Sequence, residues 1–570
     1  MLTKEQEAVV RSSGNIKINA VAGSGKTTTL LAYAGARPGQ RILYLAFNKA
    51  VKLEAEKKFA DKGYTHVRVE TAHSLAYSYI IPGSPYTLKK EGYKIPEIAS
   101  ILELTQYTGK HTGYIIATHI NAWTAWFCNS DKQKLQELDY AATITEPEAH
   151  EFVTRHINVI LHQSRLFLDK MNRAAIPITH DFYLKKFQLS KPILPFDTIL
   201  FDEGQDASEA MLHVFLSQSA IKVIVGDQHQ QIYGWRYAVN SLEKVDYPTF
   251  QLSTSFRFSQ DIADLAASVI AWKKRIRKPA RISITGAGKP LNKVGTRAVL
   301  ARTNAGLLVK AIEMLIEKKE IRSVYFEGRI ENYTYAADGA SIYDVLNLYT
   351  GEKDRIRDPL IAAMASMDEL EEYIDNTGDA QLSMLVDLVM EYGRKIPGYI
   401  KKLKEGHLEH NDKHKADMIF STVHRCKGIE YDEVTLAADF ITEDKLSAFM
   451  ARHDDIDLDK LSEEINLLYV AVTRTKGNIN IPEELLKRKE EEVVDEQQLP
   501  KRTFINTAAR SRTYQAVAMP GAKQQRPWKN SEDLRLLQMF DQGKPVIELA
   551  KFFARTPVDI IKRVKYLRGG

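Results

Sequence analysis

Short apolar runs alternate with helical spacing through the first quarter of the chain and again after a long interruption. Residues 2–12 carry the spacing of an amphipathic helix, and Ile16-Lys17-Ile18-Asn19-Ala20 follows as a strand. Residues 41–48 form a second apolar run with a polar end, a helical pattern covers 49–59, and the strand pattern at 67–70 closes on Thr71-Ala72-His73-Ser74. From 76 to 176 the alternation stops and helical periodicity rich in Trp, Tyr and His takes over, which predicts an inserted helical subdomain. Strand patterns resume at 196–206 and 222–227, each ending in acidic residues. The class this predicts is α/β, with mainly parallel sheets and functional loops at the strand C-termini.

Composition changes the picture little. The 570 residues allow roughly three to five domains. The chain is 44% hydrophobic and 27% charged, and no apolar run reaches the roughly 18 residues of a membrane span. The expectation is a protein without membrane association, and Met1-Leu2-Thr3-Lys4-Glu5-Gln6 does not read as a signal segment. Cys128 and Cys426 make neither a metal cluster nor a disulfide framework, which fits a reducing, cytoplasmic setting. Charge is more telling. The chain has a net charge of +6, and residues 523–570 alone hold eleven Lys or Arg against five Asp or Glu, also +6. Such a tail suits a polyanion partner or is a solvated face.

Three stretches carry candidate chemistry. Ala20-Val21-Ala22-Gly23-Ser24-Gly25-Lys26-Thr27-Thr28 follows an apolar strand and opens a helical pattern. Small residues let backbone N–H groups and a helix N-terminus face a triphosphate, while Lys26 reaches its outer phosphates and Thr27 offers a hydroxyl to Mg²⁺. Asp202 and Glu203 stand at a strand tip, where one carboxylate can hold Mg²⁺ and the next can orient or deprotonate water. After the strand ending at Asp227, Gln230 can bond a γ-phosphate, and Tyr233 and Trp235 offer flat faces for unpaired bases. A core role for both rings is the alternative.

In order, these stretches resemble the motifs of superfamily 1 DNA helicases of the UvrD, Rep and PcrA type. Gln6 resembles the adenine-reading Gln motif, residues 20–27 the Walker A loop, Thr71-Ala72-His73-Ser74 a strand-contacting motif, and Asp202-Glu203-Gly204-Gln205-Asp206 the Walker B box. Residues 226–236 are similar to the motif coupling ATP to DNA. Leu252-Ser253-Thr254-Ser255-Phe256-Arg257, Leu300-Ala301-Arg302-Thr303-Asn304, the stretch from Thr422 to Tyr431 and Leu468-Tyr469-Val470-Ala471-Val472-Thr473-Arg474 complete the set over about residues 1–485. Ile178-Thr179-His180-Asp181-Phe182-Tyr183-Leu184-Lys185 is most similar to F-box DNA helicases and their bacterial relatives, although the sequence has no F-box. Many relatives carry Arg where this chain has Thr28, and Phe where it has Ala46 before Phe47.

The resemblance implies two RecA-like P-loop motor domains with ATP and Mg²⁺ between them, acting on single-stranded DNA and single/double-strand junctions. Lys26, Asp202, Glu203, Gln230, Arg257 and Arg474 would be catalytic, the two arginines as fingers from the second domain. Gln6, Ala22, Gly23, Ser24, Gly25, Lys26, Thr27, Thr28, Phe256 and Glu430 would hold the nucleotide, with Thr27 and Asp202 at the metal. Phe47, Asn48, Thr71, His73, Tyr233, Trp235 and His424 would contact DNA. The implied activity is that of a 3′–5′ helicase of repair or recombination. The alternative is a translocase that mainly strips proteins from DNA, recruited through its C-terminal module.

The implied domain boundaries are 1–75 with 177–253 for the first motor domain and 254–330 with 415–486 for the second. Helical insertions would occupy 76–176 and, in reduced form, 331–414. Residues 487–527 mix charge runs with Gln, Ala, Pro and Gly, as a linker does. Residues 528–570 read as three short helices, a Myb-like or helix-turn-helix module for duplex DNA or a protein-docking one.

Overall fold

The computed structural model describes residues 2–486 apart from 108–110, 281, 337–338 and 453–456, together with scattered positions between 536 and 567. Helix α1, Lys4–Arg11, is set by a reciprocal cap: the Thr3 hydroxyl accepts from Gln6 N, and Gln6 Oε1 accepts from Thr3 N. The first sheet contains β1 Ile16–Ala20, β2 Ile42–Ala46, β3 Val67–Thr71, β4 Thr198–Phe201, β5 Ile221–Gly226 and β6 Thr249–Leu252. Its order is β3-β2-β4-β5-β1-β6 and every pairing is parallel. All five residues of β2 are buried, as expected of a central strand covered on both faces.

The period of two along β2 and β4 separates two cores. Tyr44 and Leu200 join the layer that includes Leu30, Tyr33 and Phe59 from α2 (Lys26–Gly35) and α3 (Lys49–Asp61). Leu43, Leu45, Ile199 and Phe201 face the other layer. That layer holds the helices inserted between β3 and β4: α4 Ala72–Ile80, α5 Ile95–Ile101, α6 Thr112–Asn129, α7 Pro147–Asn172 and α8 His180–Leu189. The run at 196–206 makes a shorter strand than its hydrophobicity suggests, because Glu203 turns the backbone to φ 52° immediately after Asp202.

The second sheet contains β7 Arg297–Ala301, β8 Val324–Phe326, β9 Met418–Thr422, β10 Tyr431–Leu436 and β11 Thr475–Asn480. It is parallel throughout, in the order β8-β9-β7-β10-β11. Helices α9 (Gln260–Ala271) and α10 (Leu458–Val472) share its core. Strand β8 starts at Val324, just after Arg322 N and Ser323 N, which both donate to Asp417 Oδ2 at 2.9 Å. Between β8 and β9 lie further helices, of which Met367–Thr377 meets α6: Thr118 Oγ1 is 2.7 Å from the Tyr373 hydroxyl.

Among the described residues no helix is long and apolar enough to cross a membrane. In the tail, Leu536, Leu549, Phe553, Ile560 and Val564 bury one another in a small core. The expected linker at 487–527 and the helix limits within 528–570 lie outside the described residues.

Candidate nucleotide and nucleic-acid site

The loop between β1 and α2 turns through two glycines with positive φ, Gly23 at 73° and Gly25 at 78°. Both are crowded as well as twisted. A Cβ on Gly23 would lie 2.6 Å from Arg257 Cβ, and one on Gly25 would lie 2.9 Å from Gln6 Nε2, so only glycine suits either position. Gln6, buried on α1, donates from Nε2 to Ser24 O at 3.2 Å, and Phe256 N donates to Gly23 O at 3.0 Å. Phe256 itself is 51% exposed. Ala22 is buried, Thr27 half-buried and Thr28 exposed. Ser24 Oγ is buried with no hydrogen-bond partner, an orphan polar atom inside a loop whose shape and charge suit a polyphosphate.

The acidic pair faces this loop. Lys26 Nζ lies 2.7 Å from Glu203 Oε1. Asp202, 3% exposed, accepts from the Tyr44 hydroxyl at 2.5 Å and from Glu203 N at 2.9 Å. Burial pushes the Asp202 carboxyl up, aided by the adjacent Glu203 charge. Burial works against the charge on Glu203 too, but Lys26 and then Lys427 hold that carboxyl below its usual range. The two carboxylates are therefore held unlike, Glu203 as the anion, and Glu203 sits in the strained left-handed region that marks functional turns. Among the described residues no group of three or more His, Cys, Asp and Glu gathers as a metal cage. A divalent cation here would take its protein ligands from Thr27 and Asp202.

Two arginines from the second sheet side close the cleft. Arg257 donates from Nε to Glu430 Oε1 at 2.8 Å and from a terminal nitrogen to Thr473 O at 2.7 Å. Arg474 is 2% exposed and donates from Nε to Val470 O at 3.0 Å. Burial and the nearby Arg474 charge push Arg257 down to about 10 against the pull of Glu430. Of the two, Arg257 stands against the Gly23 turn, whereas Arg474 is bonded back to the end of its own helix.

The loop after β5 joins this cleft to an aromatic surface. Gln230 Nε2 donates to Asp227 Oδ2 at 2.9 Å, and the same oxygen accepts from the Tyr469 hydroxyl at 2.8 Å. Further along, Asn466 Nδ2 donates to Gln231 O at 2.8 Å and Gly234 N donates to Glu463 Oε1 at 3.1 Å, so α10 grips the loop at three places. Burial pushes the Glu463 carboxyl up to about 7. Tyr233 stacks on Phe47 with centroids 5.3 Å apart, and its hydroxyl donates to His424 O at 2.9 Å. His424 returns the contact from Nε2 to Ile232 O at 2.9 Å, with burial pushing its imidazole down to about 4. Trp235, by contrast, is 56% exposed, with the Arg236 guanidinium 4.8 Å from its ring centre.

The other residues named for DNA contact make local contacts. Asn48 accepts from Val51 N and caps α3, and Thr71 accepts from Ser74 N and caps α4. His73 pairs with Asp181 at 3.4 Å and meets His180 and Tyr183 edge-on. Glu430, named for the nucleotide, is paired with Arg257.

The sequence reading passed over the link between the sheets. Lys427, three residues after His424, forms a buried ion pair with Asp206 and donates to Gln230 O at 2.6 Å. Both residues lie inside stretches already singled out; their opposite charges were the only signal. Tyr469, five residues before Arg474, is a second missed member.

Residues 1–249 match the UvrD/REP helicase N-terminal domain, and residues 358–482 match the UvrD-like helicase C-terminal domain. F-box DNA helicase 1 of Gallus gallus is 29% identical over 501 residues, covering 83% of this chain and 48% of that protein. F-box DNA helicase protein 1 of Schizosaccharomyces pombe is 26% identical over 537 residues, 85% of this chain and 58% of its own length. ATP-dependent DNA helicase PcrA of Leuconostoc citreum is 28% identical over 359 residues, 56% of this chain and 45% of that protein. The chain thus spans about half the length of the curated relatives it matches.

Proposed function

The chain belongs to the UvrD-like helicase family, and from that premise we propose that it is a DNA-stimulated ATPase moving 3′ to 5′ on single-stranded DNA and separating duplexes, in repair or recombination. The observation that carries this reading is the loop from Asp227 to Trp235. At one end it bonds within the cleft through Gln230 and Asp227, and at the other it exposes a tryptophan.

Residues 22–28 would take the phosphates of ATP, with Gln6 and Phe256 toward the adenine and Thr27 and Asp202 toward Mg²⁺. When bound, Mg²⁺ supplies charge neutralisation on the phosphate oxygens. Glu203, held ionised, accepts the proton of the attacking water. Lys26 exchanges its Glu203 contact for phosphate. Arg257 and Arg474 bring fixed positive charge from the second domain, so closing the cleft and neutralising the leaving phosphates are one event. Arg257 leaving Glu430 for phosphate would be felt along β10, and α10 would carry the shift to Gln231 and Gly234.

The domain boundaries given above are part of this proposal, as are the roles of Phe47, Tyr233, Trp235 and His424 on the DNA side. The similarity to two F-box DNA helicases along more than four-fifths of the chain favours a second reading, a translocase that clears proteins from DNA and is recruited by residues 528–570 through duplex DNA or a protein partner. Strand displacement on duplexes tailed at either end tests the first reading: unwinding of 3′-tailed substrates alone is expected. Equal unwinding from both ends would refute the polarity, and streptavidin displacement without unwinding would favour the second reading.

Trp235→Ala should lower DNA-stimulated ATPase on the order of tenfold while basal ATPase stays within about twofold, because a stacked base contributes roughly 1–3 kcal/mol and the ring is exposed beside Tyr233 and His424. Steady-state rates with and without oligothymidylate check this. Equal loss of both rates would make Trp235 a structural residue.

A further inference from the structure

Tyr44 lies fully buried in the middle of β2, opposite Leu200 of β4 in the parallel register. Side chains along a strand return to the same face every two residues, and Asp202 N donates to Leu45 O at 3.0 Å, which carries the ladder one residue past β4. Asp202 therefore follows Leu200 on the face that Tyr44 shares. A tyrosine is long enough to cover that step. Its ring meets Phe59 of α3 edge-on with centroids 5.5 Å apart, and its hydroxyl donates to Asp202 Oδ2 at 2.5 Å. The layer packed round the ring, with Leu200, Ala55 and Phe59, is apolar and requires no hydroxyl. The hydroxyl has its partner at the acidic strand tip instead.

The other Asp202 oxygen is held as well. Oδ1 accepts from Glu203 N at 2.9 Å, a bond set by the left-handed turn at Glu203. One donor on each oxygen fixes the plane of a carboxylate that would otherwise turn through a broad torsional well. Each oxygen has two lone pairs, so each keeps one for a further partner. Of the two donors, the backbone N–H is available from any residue but proline, whereas the hydroxyl depends on Tyr44. We infer that Tyr44 is a positioning residue of the metal site, its hydroxyl fixing the rotation of the Asp202 carboxylate so that the carboxylate is already oriented when Mg²⁺ arrives with ATP. The inference rests on the proposed ATPase with Asp202 at the metal, and adds a residue that acts through Asp202.

The test uses the full chain and Tyr44→Phe, which keeps the ring and removes one oxygen. Mn²⁺ is titrated in the presence of an ATP analogue with a β,γ-imido bridge, and free Mn²⁺ is read by electron paramagnetic resonance. Tyr44→Phe should weaken Mn²⁺ binding on the order of tenfold, as loss of a partner that orients a metal ligand does. The Mg²⁺ concentration for half-maximal ATPase should rise by a similar factor, and the rate should recover at saturating Mg²⁺. In an Asp202→Ala background the same replacement should leave the residual Mn²⁺ affinity unchanged. Unaltered Mn²⁺ affinity and Mg²⁺ requirement in Tyr44→Phe overturn the positioning role while leaving the ATPase reading intact. Equal weakening with and without the Asp202 carboxylate also overturns it, since Tyr44 would then act on the fold rather than through Asp202. An Asp202→Ala protein that binds Mn²⁺ as tightly as wild type overturns the metal assignment and the inference together.

Discussion

Glu203→Gln should bind ATP normally and turn it over 10²- to 10⁴-fold more slowly, on the order expected when a general base is lost, whereas Lys26→Ala should lose hydrolysis and tight binding together. The difference follows from the site. Glu203 is held as an anion by Lys26 at 2.7 Å, so the amide keeps its shape and removes only its capacity to take a proton. Removing Lys26 does more. It takes away the cation facing the phosphates and leaves Asp202 and Glu203 as buried carboxylates beside each other, so thermal stability should fall as well. Nucleotide binding by fluorescence and phosphate release under single-turnover conditions separate the two variants. Near-normal turnover by Glu203→Gln would exclude it as the base.

The second large effect is expected at Lys427. Its ammonium pairs with Asp206 and with Gln230 O, joining the segment after β9 to the segment after β4, and both side chains are nearly inaccessible. Burial already pushes Asp206 up to about 6 with Lys427 beside it, and Asp206 Oδ1 has no partner of its own. Lys427→Ala therefore leaves a buried carboxyl uncompensated, at a cost of about 3–5 kcal/mol. The expected result is loss of DNA-stimulated ATPase and a lower unfolding midpoint. The double variant Lys427→Met with Asp206→Asn should be less damaged than the two single effects combined, since no lone charge remains. Strict additivity would show that the pair does not link the two sheets.

These two sites differ in how far sequence revealed them. The phosphate loop was legible because everything that forms it is local: an apolar strand, two glycines and a helix start within ten residues of β1. The acidic strand tip was legible for the same reason. The Lys427–Asp206 pair was not, since its members are 221 residues apart and only the meeting of two sheets brings them together. Arg257 and Glu430, 173 residues apart, share that cause. Tyr44 was hidden for another reason: on an apolar strand its ring reads as core, which it is, and nothing local marks the hydroxyl. Asn48 and Thr71 show the converse. Each precedes a helical pattern, so its capping role was readable from local sequence alone.

The central claim is that hydrolysis in the cleft is coupled to single-stranded DNA through the loop from Asp227 to Trp235. Its most direct test is the steady-state ATPase of the full chain titrated with oligothymidylate at saturating ATP and Mg²⁺. The account predicts a slow basal rate, a saturable many-fold rise with single-stranded DNA, and no comparable rise with blunt duplex. A rate that is the same with and without single-stranded DNA would contradict it.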